Sequence, residues 1–335
     1  MTSAHVVLAR RPQGAPVPED FRLETRELPA PREGQLLVEV LFATANPGSR
    51  NRMGGDASYA RGMRLGETME GPAVGRVLVS NHPEWRQGDL VTGAFGWAER
   101  ALSSGRGLRR IPARTPSLSA WAGILNLPGL TAYFGLRDVA GFKPGETLIV
   151  SSAAGPVGAT AGQIARLMGG RAIGIASGAE RKRWLLEEAG FAAVIDRSAP
   201  DLADALIAAA GEGGAQVYFD NVGGPVLDAA IRALGQRGRI VVSGQIADYN
   251  RPDGERSGTR RVHEFIGKRL RMEGMVVFDY AERFGEAERE IEGWIADGRL
   301  KFREHIVDGL AALPALFCAQ LRGEIFGRAL AKVAS

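Results

Sequence analysis

The fold of this chain can be inferred from one short segment, Thr147-Leu148-Ile149-Val150-Ser151-Ser152-Ala153-Ala154-Gly155-Pro156-Val157-Gly158. An apolar strand leads into a glycine-rich turn, and apolar residues at helical spacing follow. Glycine at 155 lets the backbone approach a pyrophosphate, and glycine at 158 lets the helix pack close to the strand. The N-terminus of that helix offers free N–H groups to the phosphates. The segment therefore predicts a dinucleotide-binding turn made by Gly155, Pro156, Val157 and Gly158.

The end of the next strand indicates which dinucleotide is bound. That strand ends at Ser177 with no acidic residue, whereas an NAD site has Asp or Glu there, about 20 residues after the glycines. Arg181, Lys182 and Arg183 follow on the first turn of the next helix. A hydroxyl together with guanidinium and ammonium groups suits a 2′-phosphate, so Ser177, Arg181 and Lys182 predict NADPH. Glu180 lies among these basic residues, and pairing with them is one possible role for it.

Hydrophobic patterns divide the chain into two domains. Residues 1 to about 120 hold short strands separated by Gly, Pro and Asn, which is typical of a compact β-barrel-like domain. Strands and helices then alternate, including an expected strand over 270–278 and a helix over 280–297, and this alternation favours a doubly wound parallel sheet. The last 35 residues break the alternation. We expect an α/β protein with residues 1–122 and 300–335 in a β-rich domain and residues 123–299 in a doubly wound domain.

Composition argues against several other classes of protein. Hydrophobic residues make up 45% of the chain and charged residues 24%, as in ordinary globular proteins. The net charge is +4, but the basic runs are short and are not interleaved with aromatic residues, so no nucleic-acid partner is expected. No apolar run reaches the ~18 residues needed to cross a bilayer, and we expect a cytoplasmic enzyme. Four scattered histidines and the single Cys318 do not suggest the three ligands of a catalytic zinc, so no metal is expected.

Five segments resemble a known family. They are LPGLTAYFGL at 127–136, AAGPVG at 153–158, YFDNVGG at 218–224, GQIADYN at 244–250 and MEG at 272–274. Together they resemble the medium-chain dehydrogenase/reductase superfamily, best its zinc-free branch of prostaglandin reductases, leukotriene hydroxydehydrogenases, alkenal double-bond reductases and bacterial curcumin reductases. The resemblance covers nearly the whole chain. It implies a GroES-like catalytic domain plus a Rossmann domain, a homodimer, and NADPH-dependent reduction of a carbon–carbon double bond conjugated to a carbonyl.

The resemblance also implies roles for individual residues. Tyr249 would stand beside the nicotinamide ribose as the catalytic residue, with its phenol bonded to a ribose hydroxyl that in turn donates to the substrate carbonyl. Asn221, which directly follows a predicted strand over 216–220, would contact the cofactor. Arg181 matches the position of the lysine that binds the 2′-phosphate in the family. The remaining cofactor contacts implied are Ser243, Gly244, Ile246, Met275, Val276 and Val277. Arg197 stands where the family frequently has a tyrosine, and we expect it to add a second basic contact.

Two departures from the family pattern affect the expected substrate pocket and cofactor affinity. The first-domain loop usually contains Asp-Pro-Tyr-Met-Arg, and this chain has Asn46-Pro47-Gly48-Ser49-Arg50, so a large aromatic wall is missing. We predict a roomier pocket for an α,β-unsaturated carbonyl substrate, lined by Asn46, Gly48, Ser49, Arg50 and Tyr133. Near the end of the chain Ile325 replaces an amide that usually contacts the cofactor, which predicts weaker cofactor binding.

Two alternative functions remain open from the sequence. A quinone oxidoreductase of the same superfamily would share the nucleotide-binding half but would match the Tyr249 segment less closely. A non-catalytic NADPH-binding regulatory protein would explain the changes at Gly48, Ser49 and Ile325. Turnover with enones, alkenals or quinones distinguishes these functions.

Overall fold

The computed structural model describes residues 1–54, 61–115, 117–251, 253–256 and 258–334. In chain order its strands are β1 Thr2–Leu8, β2 Phe21–Glu27, β3 Leu36–Thr44, β4 Ala73–Ser80, β5 Leu90–Gly93, β6 Arg100–Ser103, β7 Arg109–Arg110, β8 Thr147–Val150, β9 Arg171–Ile175, β10 Ala193–Ile195, β11 Ala215–Asp220, β12 Leu234–Val242, β13 Arg271–Gly274, β14 Glu304–Asp308 and β15 Arg328–Lys332. Its α-helices are α1 Ser49–Met53, α2 Leu118–Ala122, α3 Leu127–Phe134, α4 Pro156–Leu167, α5 Ala179–Glu187, α6 Leu202–Ala210, α7 Gly224–Ala233, α8 Val262–Lys268, α9 Phe284–Ala296 and α10 Leu313–Leu321.

The chain forms two compact units. The first contains Met1–Asn126 together with Glu304–Ser335, and the second contains Leu127–Arg303. The domain boundaries expected from the sequence, 122/123 and 299/300, differ from these by four residues at each end. No helix in the described part of the chain is long and apolar enough to cross a membrane.

The first unit is built on a seven-stranded sheet. Its strand order is β14-β15-β3-β4-β5-β7, with β6 also paired to β3, and β1 and β2 form a separate hairpin. The C-terminal strand β15 pairs antiparallel with β3, so the end of the chain completes the sheet that the beginning started. An aromatic cluster of Phe21, Trp97 and Phe317 fills the core, with ring centroids 5.6–5.9 Å apart. The predicted β-rich domain is thereby confirmed.

The second unit is a Rossmann domain. All its strand pairs are parallel, and the sheet order is β10-β9-β8-β11-β12-β13. Numbered from the first strand of the unit this order is 3-2-1-4-5-6, the arrangement of dinucleotide-binding folds. The order reverses between β8 and β11, and ligands of such sheets bind at the carboxyl ends of the strands at that point. The sequence prediction of a doubly wound parallel sheet is confirmed.

The segment that follows the last Rossmann strand differs from the sequence prediction. A strand over 270–278 was expected, but β13 ends at Gly274, and a 3-10 helix over Val277–Arg283 precedes α9. Tyr280 leaves helical geometry, with φ −104° and ψ 15°. Its ring stacks on Phe134, with centroids 4.7 Å apart. With Tyr280 held in this contact, α9 begins at Phe284 and not at residue 280. The apolar pattern of the sequence does not show this boundary.

Candidate cofactor site and active site

The glycine-rich turn after β8 leaves little room for a side chain at either glycine position. A Cβ built on Gly158 would lie 2.4 Å from the carbonyl oxygen of Ser152 and 2.9 Å from Cα of Ala153. A Cβ on Gly155 would lie 3.0 Å from Oγ and 3.1 Å from the carbonyl oxygen of the same serine. Ser152 itself has a left-handed φ of 51°. The turn is therefore tight enough for the N-terminus of α4 to approach a pyrophosphate, which supports the predicted fit of a dinucleotide.

The ends of β8 and β11 are joined at the reversal point of the sheet. The backbone N–H of Asn221 donates to Oγ of Ser151 at 2.9 Å, and its side-chain Nδ2 donates to the Ser151 carbonyl at 2.8 Å. These two bonds fix the side chain of Asn221 at the carboxyl edge. The placement agrees with the predicted cofactor contact, which itself stays a prediction.

A buried acid behind Asn221 holds this edge together. Asp220 has no exposed surface, and its Oδ1 accepts hydrogen bonds from the Tyr218 hydroxyl (2.7 Å), Oγ of Ser151 (3.2 Å) and the backbone N–H groups of Val222 and Gly223 (3.0 and 2.9 Å). Burial raises the pKa of the Asp220 carboxyl. Sequence patterns do not reveal this role, because Asp220 has the pattern of the last residue of an ordinary strand.

The loop after β12 carries Tyr249 to the same edge. A Cβ built on Gly244 would lie 3.1 Å from the Tyr249 hydroxyl and 3.5 Å from the carbonyl oxygen of Asn221. Ile246 N–H donates to that same carbonyl at 3.4 Å, and Ser243 N–H donates to the Asp220 carbonyl at 2.9 Å. The fold therefore brings together Tyr249, Gly244 and Asn221. Tyr249 and Asn221 are 28 positions apart in the sequence.

The next strand adds the third predicted contact segment to this edge. Met275 follows the end of β13, and its N–H donates to the Val242 carbonyl at 3.0 Å. Val276 precedes the 3-10 helix and Val277 begins it, and the side chain of Val277 is buried. The segment 275–277 therefore continues the edge formed by the ends of β11 and β12.

Two of the predicted 2′-phosphate residues, Ser177 and Lys182, lie near an acid that the sequence motif did not reveal. Oγ of Ser177 donates to Oδ1 of Asp196 at 2.8 Å. Asp196 follows β10, the strand next to β9, so spacing along the glycine motif could not identify it. Hydrogen bonds from Ser198 and Ser177, together with the Lys182 charge, lower the pKa of the Asp196 carboxyl to about 2. Arg197 is exposed beside it.

Glu180 pairs with Arg303 and not with the basic residues that follow it on α5. Its carboxylate accepts from the Arg303 guanidinium at 2.9 Å, and both side chains are largely exposed. An exposed pair of this kind contributes little to stability.

The first-unit loop 46–50 has space at Gly48. A Cβ built there would meet only the side-chain amide of Asn46, at an ordinary 3.8 Å. Ser49 and Arg50 are buried, and they donate to the backbone carbonyls of Glu70 (3.3 Å) and Gly14 (2.8 Å). These two side chains brace the loop inside the first unit, and their place in a substrate pocket stays a prediction.

Tyr133 packs inside the second unit. Its side chain on α3 has no exposed surface, and its hydroxyl lies 2.7 Å from Oε2 of Glu290 and 3.1 Å from Oε1 of Glu286 on α9. The Arg137 guanidinium covers its ring at 4.5 Å. These contacts hold the Tyr133 side chain within its own unit, and its place in a substrate pocket stays a prediction. Near the C-terminus, Ile325 is partly buried against the core of the first unit.

Two family models match the chain. Residues 4–111 match the N-terminal domain of oxidoreductases, and residues 156–293 match the zinc-binding dehydrogenase model. In the described ranges, no group of three or more His, Cys, Asp or Glu residues could hold a metal ion. Together with the Rossmann domain and its glycine-rich turn, these matches define a dinucleotide-dependent oxidoreductase.

Relatives cover almost the entire chain. The NADPH-dependent curcumin reductase of Escherichia coli (strain K12) is 40% identical over 332 residues, 98% of this chain and 96% of the relative. Prostaglandin reductase 1 of Bos taurus is 36% identical over 323 residues, 95% of each chain. The crystal structure of CurA from Vibrio vulnificus in complex with NADPH is 36% identical, with a TM-score of 0.93 over 99% of both chains. The chain belongs to the medium-chain dehydrogenase/reductase superfamily, in its zinc-free prostaglandin reductase and curcumin reductase branch.

Proposed function

We propose that this protein reduces carbon–carbon double bonds conjugated to a carbonyl, with NADPH as the reductant. The observation that carries the proposal is the position of the Tyr249 hydroxyl, over Gly244 and beside Asn221 at the edge where the Rossmann strand order reverses. The names of the relatives, a curcumin reductase and a prostaglandin reductase, support the same substrate class.

The residues present suit NADPH. Gly155 and Gly158 fold the turn closely against Ser152, as a dinucleotide-binding turn requires, and our proposal assigns the 2′-phosphate to Ser177 and Lys182. When bound there, NADPH supplies a hydride to the β-carbon of the substrate. Asn221, held by Ser151, is positioned to orient the cofactor rather than to react.

The chain's own contribution to the reaction is a hydrogen-bond donor at the substrate oxygen. As the β-carbon gains a hydride, negative charge develops on the carbonyl oxygen, and a donor placed there stabilises the enolate. The Tyr249 phenol fills this role in our proposal, directly or through a bound hydroxyl. The α-carbon then takes a proton from Tyr249 or from water.

Substrate turnover tests this function. NADPH oxidation is measured with benzylideneacetone as the enone, cinnamaldehyde as the enal and benzoquinone as the quinone. We expect turnover with the enone and the enal to exceed turnover with the quinone. Rapid turnover of the quinone alone would favour the quinone oxidoreductase, and tight NADPH binding without turnover of any acceptor would favour a non-catalytic protein.

The basic residues of α5 give a prediction for cofactor choice. The double variant Arg181→Ala/Lys182→Ala is expected to weaken NADPH binding about thirtyfold, because two charge-assisted contacts to the 2′-phosphate are lost. Binding of NADH, which lacks that phosphate, is expected to change less than threefold. Titration of the reduced-nicotinamide fluorescence measures both affinities. An equal loss for the two cofactors would contradict this placement of the 2′-phosphate.

The space at Gly48 gives a prediction for substrate size. Gly48→Tyr restores the aromatic side chain that the family usually has in this loop, and we expect it to lower kcat/KM for bulky aryl enones about tenfold. Turnover of a small enone such as methyl vinyl ketone is expected to stay within twofold. Gly48→Ala is the matched control, since its methyl group would meet only Asn46. A uniform loss for both substrates would mean that position 48 does not select by size.

We also infer a homodimer formed through β13. This strand ends the six-stranded sheet, and all four of its residues are exposed. An exposed edge strand offers unpaired backbone groups to another strand. Antiparallel pairing with a second copy centred on Met272 would set Arg271 opposite the partner's Glu273, so the strand is complementary to itself in charge. The neighbouring helix α8 exposes Val262 and Ile266, at 61% and 80%.

Charge reversal on this edge tests the dimer. Glu273→Arg would place arginines opposite each other at both ends of the paired strands, and we expect it to shift the protein toward monomer by at least about tenfold in dissociation constant. Glu273→Gln, which removes the attraction without adding repulsion, is expected to remain mostly dimeric. Sedimentation analysis of the wild type and both variants gives the result. A dimer unaffected by Glu273→Arg would exclude this edge as the interface.

A further inference from the structure

The two carboxylate oxygens of Asp196, which directly follows β10, differ in their hydrogen bonding. Its Oδ1 accepts three hydrogen bonds, from Oγ of Ser177 (2.8 Å), Oγ of Ser198 (2.6 Å) and the N–H of Ser198 (2.8 Å). None of the described residues donates to its Oδ2. The residue is only partly buried.

The position of this carboxylate is chemically unexpected beside a 2′-phosphate. Ser177 lies two residues after the end of β9, in the region where a Rossmann fold contacts the adenosine ribose, and its Oγ donates to Asp196. A carboxylate at the ribose accepts from a 2′-hydroxyl, and a like charge repels a phosphate. Three donors and the Lys182 charge hold the pKa of this carboxyl near 2, so it is ionised at any pH of interest.

We propose that Asp196 is a specificity-determining residue for the cofactor. Its Oδ2 accepts the ribose 2′-hydroxyl of NADH, and its charge opposes the 2′-phosphate of NADPH, which Lys182, Arg181 and Arg197 attract. Dinucleotide folds commonly have an acid at the end of the second strand of the sheet, which is β9 here. In this chain the acid is Asp196, which follows the neighbouring strand β10. This inference rests on the proposed placement of the ribose at Ser177. If Asp196 acts in this way, the protein binds NADH measurably, and its preference for NADPH over NADH is smaller than Lys182, Arg181 and Arg197 alone would produce.

Direct cofactor binding tests the inference without any substrate. The ratio of the NADH dissociation constant to the NADPH dissociation constant is measured by fluorescence titration for the wild type and for Asp196→Asn. We expect the ratio to rise about tenfold in the variant, because a unit charge near the phosphate is removed. NADPH binds more tightly and NADH more weakly. Asp196→Ser is the second variant, and thermal melting shows whether each variant is folded.

Two control variants separate the charge from the turn that it stabilises. Ser198→Ala removes a donor from the turn but keeps the carboxylate, and the ratio is expected to stay within twofold of wild type. Asp201→Asn changes another acid in the same connection, the N-cap of α6, and is expected to leave the ratio unchanged. A ratio within twofold of wild type in both Asp196 variants, or an equal rise in Ser198→Ala, would overturn the proposal. Because no acceptor is present, failure of the reductase function would not affect this result.

Discussion

Gly158→Ala is expected to weaken NADPH binding by more than about a hundredfold. The added methyl group would lie 2.4 Å from the Ser152 carbonyl oxygen and 2.9 Å from both the carbonyl carbon of Ser152 and Cα of Ala153. All three atoms belong to the backbone, so no side chain can move aside and the whole turn must shift. Overpacking of this kind costs about 1–3 kcal/mol of stability. Fluorescence titration gives the affinity, and thermal melting gives the stability.

A second glycine provides a matched control for this result. Gly293 lies in α9, and a Cβ built there meets nothing within 4 Å. Gly293→Ala is expected to leave NADPH binding unchanged and to stabilise the helix slightly, because alanine loses less backbone freedom than glycine on folding. If Gly158→Ala bound NADPH as tightly as Gly293→Ala does, the turn after β8 would not be the pyrophosphate site.

Tyr249→Phe is expected to reduce kcat for enone reduction about a hundredfold, the effect of removing one donor from a developing oxyanion. The NADPH dissociation constant is expected to change less than threefold, because phenylalanine keeps the aromatic ring and loses only the hydroxyl. Steady-state kinetics with benzylideneacetone and a separate NADPH titration give the two quantities. The expected pattern is therefore a loss in kcat without a loss in cofactor affinity.

The control for Tyr249 is a phenol elsewhere in the same unit. The Tyr280 ring stacks on Phe134, and Tyr280→Phe keeps that stacking, so we expect turnover near the wild-type value. Full turnover in Tyr249→Phe would remove the catalytic assignment. Equal losses in both tyrosine variants would indicate a general disturbance of the unit and not the loss of a specific donor.

The parts of the fold that depend on local spacing could be predicted from the sequence. The apolar strand, the glycines and the helix after Gly158 are adjacent in the chain, and each requirement is met by nearby residues. Alternation of strands and helices then restricts the topology, since parallel strands need crossovers of one hand. Resemblance to a known branch added the function of Tyr249, which no spacing rule supplies.

The parts that depend on contacts between distant segments could not be predicted in this way. Asp196 reaches Ser177 only because β10 pairs with β9, and the motif concerns β9 alone. Asp220 receives four donors from three segments, which became visible only when the sheet was assembled. Tyr133 belongs to a family segment, but burial against α9 decides what its hydroxyl contacts.

In the proposed reaction, hydride reaches the β-carbon of a conjugated double bond. The most direct measurement uses NADPH carrying deuterium at both C4 positions, with benzylideneacetone as the acceptor and NMR of the product. We predict a saturated ketone with one deuterium on the former β-carbon and none on the carbonyl carbon. Deuterium on the carbonyl carbon, in an allylic alcohol product, would show that the protein reduces the carbonyl group and not the conjugated double bond.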